Sequence, residues 1–425
     1  MYYFNQKRNS NISQQRLLGS LESGIYNSDQ LSIAKEIEWH KYKNERKPQS
    51  LKELKRCRID FHGKTMKYFC TTIGKPSPTG YALFIALHGG GSSDKPDMND
   101  SQWKHMQYYY RAANTIKQGI YVAPRGVTDT WDLHSVPEAF PMYDSIIENM
   151  ILFRNVDPNQ VYICGFSAGG DGVYQITNRM PDKWAAANMS AGHPNGIPII
   201  NLHNISMQLQ VGDHDEAYNR NRVTAEYDLL LKNAHKFHPY SYKHNTYIHY
   251  GQPHNFPDNV SPEFQFLVYE SPQGWYTNTN IKVSPVNPNV PCWLQSHVRN
   301  PYPTHIQWST TNNAPLRGLK NNFHYWLEIT EKTTSTLIEA SYDRNTNRID
   351  ISKAGGYLKI HFNDRMLQIH KPIEIHINQQ KLSTDLIPSI RNIVDSIRVR
   401  SDPNYIFECN VGLVENKNGE WVIEE

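Results

Sequence analysis

The sequence predicts an α/β fold: a mostly parallel sheet with helices on both faces, followed by a C-terminal β-rich domain. Three observations carry this. From about residue 58 to 270, short continuous apolar runs alternate with amphipathic segments, the pattern of strands joined by helical crossovers. The runs are unbroken and do not alternate, as strands of a parallel sheet covered on both faces require. Beyond residue 322 the pattern changes to strands of alternating polarity separated by turn residues.

In chain order, residues 1–57 read as a polar N-terminal helical extension, with a helical stretch around Leu31 to Lys43 and a basic run from Lys52 to Arg58, packed as a solvated element on the main domain. Residues 58–270 form the expected α/β domain. Tyr81–Leu87 is an apolar strand running into His88-Gly89-Gly90-Gly91, and Ile120–Ala123 is a second, followed by Pro124-Arg125-Gly126. Met142, Ile146, Ile147, Met150 and Ile151 place one apolar face on a helix. Asp157-Pro158-Asn159 stops it, and Val161–Cys164 is the next buried strand. Further strands are expected at Ala185–Met189, Ile205–Val211 and Asn245–Tyr250, with a helix carrying Val223, Tyr227, Leu230 and Leu231 between the last two. Residues 271–322, rich in Pro and Asn, read as an irregular linker. Residues 323–425 form the β-rich accessory domain, with strands at Tyr325–Ile329, Ser335–Ser341, Arg348–Ile351, Tyr357–Phe362, Ile373–Ile377 and Tyr405–Val411.

Composition narrows the function classes. The net charge of +3 over 425 residues is too balanced for a protein that grips phosphate backbones, so no nucleic-acid partner is expected. The 26 Tyr, 14 Phe and 9 Trp supply apolar area that disordered chains lack. Five scattered cysteines (Cys57, Cys70, Cys164, Cys292, Cys409) without a CxxC pair point to a reducing compartment. No secretory signal core and no membrane-spanning run is seen, so a cytoplasmic protein without a membrane partner is the expectation.

The chemistry lies in four loops. Gly165-Phe166-Ser167-Ala168-Gly169 follows a buried strand and precedes a helical segment. A nucleophile on such a turn adopts a cramped backbone, and the flanking glycines remove Cβ atoms that would collide. His88-Gly89-Gly90-Gly91 can supply backbone N–H donors to an oxyanion; the amides of Ala168 and Gly90 are the expected pair, with Gly91 in reserve. A plain glycine turn is the alternative for either motif, and a phosphate cradle is disfavoured because no Gly-Lys-Ser/Thr follows. A hydroxyl nucleophile needs a base and an orienting acid, which in an α/β-hydrolase layout follow in the order Ser, acid, His. Asp215 is preferred to Asp213 because it lies further into its loop, where it can turn toward the pocket, while Asp213 could cap the following helix. His254 lies just past a strand end, whereas His244 and His249 fall inside or before the strand. Trp131, His134, Tyr218 and Arg220 either line the substrate pocket or serve the fold, and Trp131 and Tyr218 are taken as substrate contacts. Asp171 is expected to cap or pin the helix after Ser167. The histidines between His235 and His254 lack any metal-binding spacing, so neither a metal nor another cofactor is expected.

These motifs together resemble the α/β-hydrolase superfamily, and within it serine esterases of the poly(3-hydroxybutyrate) depolymerase and feruloyl esterase branch. The matching text is LFIALHGGG (Leu83–Gly91), APRG with Thr130 and Trp131, GFSAGGDGVYQ (Gly165–Gln175), AGHPNG (Ala191–Gly196), VGDHDEAYNRN (Val211–Asn221) and GQPHNF (Gly251–Phe256), all within residues 60–270. In that branch the histidine is followed by an aromatic, often Trp; here Phe256 stands two residues on. HYWLEI (His324–Ile329) is similar to the appended β domain of the branch. The resemblance implies a Ser167, Asp215, His254 triad and hydrolysis of a small-molecule or polymeric ester through an acyl-enzyme. A peptidase or acyltransferase with the same triad, and an idle hydrolase fold acting as a binding module, are the alternative functions.

Overall fold

The computed structural model describes residues 26–261, 263–278, 280–311 and 322–424. They fall into two compact units, one of residues 51–300 and one that joins residues 26–50 to the chain from residue 301 onward. Helix α1 (Ser28–Arg56) contributes to both. The expected helix at Leu31–Lys43 is therefore longer. The part through Ser50 belongs with the C-terminal unit and is not a separate extension of the α/β domain.

The first unit is built on ten strands: β1 (Arg58–Phe61), β2 (Lys64–Ile73), β3 (Tyr81–Leu87), β4 (Gly119–Pro124), β5 (Val156–Phe166), β6 (Ala186–Ser190), β7 (Ser206–Gly212), β8 (His244–His249), β9 (Phe266–Tyr269) and β10 (Val283–Val286). Their spatial order is β1-β2-β4-β3-β5-β6-β7-β8-β9-β10. The six strands from β4 to β8 in that order are mutually parallel, and the pairs outside them are antiparallel. Between the strands run helices α2 (Pro96–Met106), α3 (Ala139–Phe153), α4 (Ala168–Arg179) and α5 (Arg220–Phe237), and α6 (Val290–Leu294) follows the last of them.

Strand β3 explains why its run is continuous. Leu83, Ile85 and Leu87 enter one core with Met142, Ile146 and Met150 of α3 and Val173 of α4. The intervening Ala82, Phe84 and Ala86 enter a second core with Met106, Tyr110 and Leu294 on the opposite face. Burying both faces is what keeps the central strands stiff, and their carboxyl ends, where the loops of interest begin, are fixed by the same packing.

Several expected boundaries are corrected. Asp157 and Pro158 lie inside β5 and not between elements. Residues 271–322, expected as an irregular linker, instead carry β10, α6 and β11 (His305–Ser309). Pro285 sits in β10 at the sheet edge, where a missing N–H costs no ladder bond. Tyr325–Ile329 is not one strand: β12 (Phe323–His324) and β13 (Leu327–Glu328) pair antiparallel about a turn in which Tyr325 has φ +55°.

The second unit contains two five-stranded sheets. One runs β11, β14 (Leu337–Asp343), β15 (Arg348–Ser352), β17 (Ile373–Ile377), β18 (Gln380–Thr384). The other runs β12, β13, β16 (Tyr357–Phe362), β19 (Cys409–Glu415), β20 (Trp421–Ile423). The strand expected at Tyr405–Val411 begins later, at Cys409. Helix α7 (Ile390–Arg400), with Ser389 capping its N-terminus, was not expected. Within this unit α1 is tied by Lys35 to the buried Glu408, by Tyr42 Oη to Ser401 Oγ at 2.7 Å and by Glu45 to Arg398 at 2.9 Å.

Candidate functional site

Ser167 stands between the end of β5 and the start of α4 with φ +59° and ψ −124°, a backbone pose that side-chain-bearing residues rarely hold. Its amide donates to Ser190 O at 2.9 Å and its carbonyl accepts from Asp171 N at 3.0 Å. The glycines on either side are required by close packing: a Cβ on Gly165 would lie 2.3 Å from Gly169 O, and one on Gly169 would lie 2.2 Å from Leu87 O. A strained serine on a strand-to-helix turn at the carboxyl end of a central parallel strand decides the architecture. The first unit has the α/β-hydrolase fold.

In this α/β-hydrolase domain the loop after β7 brings Asp215 to the same rim, and the loop after β8 brings His254. His254 Nε2 lies 3.0 Å from Ser167 Oγ, and His254 Nδ1 lies 2.7 Å from Asp215 Oδ2. With Nδ1–H donating to the carboxylate, Nε2 is the ring atom that faces the serine hydroxyl as an acceptor. Asp215 is 1% exposed, and its second oxygen, Oδ1, is 3.7 Å from Arg220 Nη1. The turn is closed by backbone bonds from Asp215 N to Gly212 O and from Asn221 N to Asp215 O.

The rejected alternatives have other partners. Asp213 does not cap α5: its Oδ1 accepts from Gln252 N at 3.1 Å and its Oδ2 from Tyr269 Oη at 3.3 Å, which ties the histidine loop to β7. His249 is buried, with Nε2 2.9 Å from Gln210 Oε1, and burial pulls its pKa down to about 3. His244 lies 3.4 Å from the buried Asp228.

The His88-Gly89-Gly90-Gly91 turn abuts the nucleophile, since a Cβ on Gly89 would sit 3.2 Å from Ser167 Cβ. The two expected donors, the amides of Ala168 and Gly90, have no protein acceptor among the described residues. Gly91, the reserve, is a correction: its amide is taken by Asn99 Oδ1 at 2.6 Å. Asn99 is fully buried and donates to Asp129, which in turn pairs with Arg125. The His88 ring accepts from Gly126 N at 2.9 Å, and burial lowers its pKa to about 3, so it is neutral. His134 is a structural residue and not a pocket wall. It is buried, and its Nε2–H donates to His88 O at 2.9 Å.

Trp131 and Tyr218 meet at a cavity of about 480 Å³, their ring centroids 6.3 Å apart and their side chains largely open to solvent. Arg220, its guanidinium 4.8 Å above the Tyr218 ring, and Asp171 also line it. Asp171 does not cap α4 but accepts from His193 N at 2.7 Å, and burial raises its pKa. The cavity adjoins the three loops: Trp131 packs on Gly91, Tyr218 follows Asp215, and Asp171 lies one helical turn past Ser167. Sequence reasoning missed Asn99, Ser190 and Asp258, single polar residues in segments without any motif.

No family model matches the chain. A bifunctional acetylxylan esterase/xylanase from Neocallimastix patriciarum is 26% identical over 153 residues, which are 33% of this chain and 20% of that protein. The chain thus spans about a fifth of the curated relative it matches. Among solved structures, a thermostable esterase matches 57% of this chain and 63% of its own at a TM-score of 0.36 and 17% identity. LpqC, a poly(3-hydroxybutyrate) depolymerase from Bordetella parapertussis, matches 46% of this chain and 83% of its own at a TM-score of 0.37 and 14% identity. Among the described residues no helix is long and apolar enough to cross a membrane.

Proposed function

We propose that the chain is a serine esterase that hydrolyses a carboxylic ester through an acyl-enzyme on Ser167. The observation that supports this most is the unbroken proton path from Ser167 Oγ to His254 Nε2 and from His254 Nδ1 to Asp215, at 3.0 and 2.7 Å. In this reading His254 takes the serine proton as Oγ attacks the ester carbonyl, and Asp215 stabilises the imidazolium that forms. The carbonyl oxygen, now negative, accepts from the Ala168 and Gly90 amides. His254 returns the proton to the departing alcohol, then activates a water that releases the acid and frees Ser167. Trp131 and Tyr218 contact the part of the substrate that enters the cavity beside the rim. No step requires a dissociable cofactor.

The test pairs two substrates with one variant. The protein is expected to turn over a p-nitrophenyl ester faster than a peptide anilide, and a fluorophosphonate is expected to label Ser167. Ser167→Ala, which removes one oxygen, should abolish both. Residual turnover above a thousandth of the parent rate would place the nucleophile elsewhere, and preference for the anilide would favour a peptidase.

A further inference from the structure

Asp258 lies four residues past His254 and is fully buried, yet it takes no part in the proton path above. Three hydroxyls converge on its carboxylate: Tyr109 Oη at 2.8 Å on one oxygen, Tyr110 Oη at 3.0 Å and Ser190 Oγ on the other. Burial raises its pKa to about 6 while these donors oppose the rise. Such a buried acceptor is tolerated because both of its oxygens accept from donors, one hydroxyl on the first and two on the second.

Ser190 makes the connection to the nucleophile. Its carbonyl holds the Ser167 amide at 2.9 Å, so one residue grips the strained turn with its backbone and the histidine loop with its side chain. The polar chain continues through the buried ends of the central strands. Asn188 Nδ2 donates to Ser190 Oγ at 2.9 Å, Gln210 Nε2 to Asn188 Oδ1 at 3.3 Å, and His249 Nε2 to Gln210 Oε1 at 2.9 Å. His249 closes β8, where the loop bearing His254 begins, Asp258 lies midway along that loop before β9, and the His249 ring stacks on Phe256 within it at 4.4 Å. The stretch bearing His254 is thus fixed on both sides, to β7 through His249 and to β6 through Asp258.

We infer that Asp258 is a positioning residue, which through Ser190 fixes the His254 loop in register with the Ser167 turn. The inference rests on the reading of Ser167 and His254 as nucleophile and base. A hydrogen bond between two side chains on different loops holds only while the loops keep their spacing, and a displacement of about 1 Å at such a pair can cost on the order of 100-fold in rate.

The experiment uses the full chain with Ser190→Ala, which cuts the connection from the strand side, and Asp258→Asn, which keeps the shape of the acceptor. Active sites are counted with a fluorophosphonate, and kcat and KM for p-nitrophenyl acetate are expressed per titrated site. Both variants are expected to lose 10- to 100-fold in kcat with KM within twofold of the parent, and to react more slowly with the fluorophosphonate in the same proportion. A fall in thermal midpoint or titratable fraction with kcat per titrated site within twofold of the parent, in either variant, overturns the inference. If the parent chain hydrolyses no ester, or Ser167→Ala keeps the parent rate, the reading of Ser167 fails and takes this inference with it. That result is distinct from a parent enzyme that works and variants that match it.

Discussion

Substituting Gly90 by alanine isolates the oxyanion turn. Gly90 has φ +111°, and a methyl group there would lie 2.2 Å from Asn99 Oδ1. Asn99 cannot yield, because it is fully buried and held between the Gly91 amide at 2.6 Å and Asp129 at 2.9 Å. The peptide must therefore rotate, which carries the residue 90 amide away from the place where negative charge would develop beside Ser167. Loss of one such donor costs a factor of roughly 10² to 10³ in kcat, or about 3 to 4 kcal/mol. The backbone strain of alanine at this φ adds about 1 to 3 kcal/mol against folding, paid alike by free and substrate-bound enzyme. The assay is steady-state hydrolysis of p-nitrophenyl acetate on Gly90→Ala alongside thermal unfolding. A large drop in kcat with KM little changed and a midpoint lowered by a few degrees is expected. A folded variant within threefold of the parent kcat would mean that the Gly90 amide does not serve the oxyanion.

Two further outcomes follow from the geometry. Asp215→Asn keeps the loop but lets an amide donate where a carboxylate accepts, which favours the wrong histidine tautomer; kcat is expected to fall by on the order of 10⁴ at neutral pH, read with the same ester. The buried His249 has a folded pKa of about 3 against roughly 6.5 unfolded, so the unfolded chain binds more protons between these values and stability declines as pH falls through that window. His249→Gln keeps a donor for Gln210 but cannot titrate, and urea unfolding at pH 7 and pH 4.5 should show its pH-dependent loss smaller than the parent's by about 2 to 3 kcal/mol. Equal losses in the two proteins would show that His249 is protonated, or reached by water, in the folded state.

The central sheet was legible because its strands are covered on both faces, which leaves uninterrupted apolar words such as Tyr81–Leu87 in the text. Ser167 could be placed because it follows the apolar word Val161–Cys164, and Asp215 and His254 because each lies in a loop after a later strand, in the order Ser, acid, His. What the sequence hid has a common cause. Asn99, Ser190 and Asp258 act through partners distant along the chain, and neither periodicity nor turn chemistry marks a lone polar residue. Pro285 and its neighbours were read as linker because proline argues against a central strand; it does not argue against an edge. In the second unit, Tyr325 reads as a strand residue by its aromatic ring, but its left-handed backbone makes it a turn.

The cramped pose at residue 167 belongs to the position and not to serine. With its amide fastened to Ser190 O and its carbonyl to Asp171 N, this residue cannot relax without breaking both bonds. Any side chain placed there inherits the same exposed aim toward His254. The chemistry of the attacking atom and the direction of attack are thus separable properties, one set by a single codon and the other by the sheet beneath it.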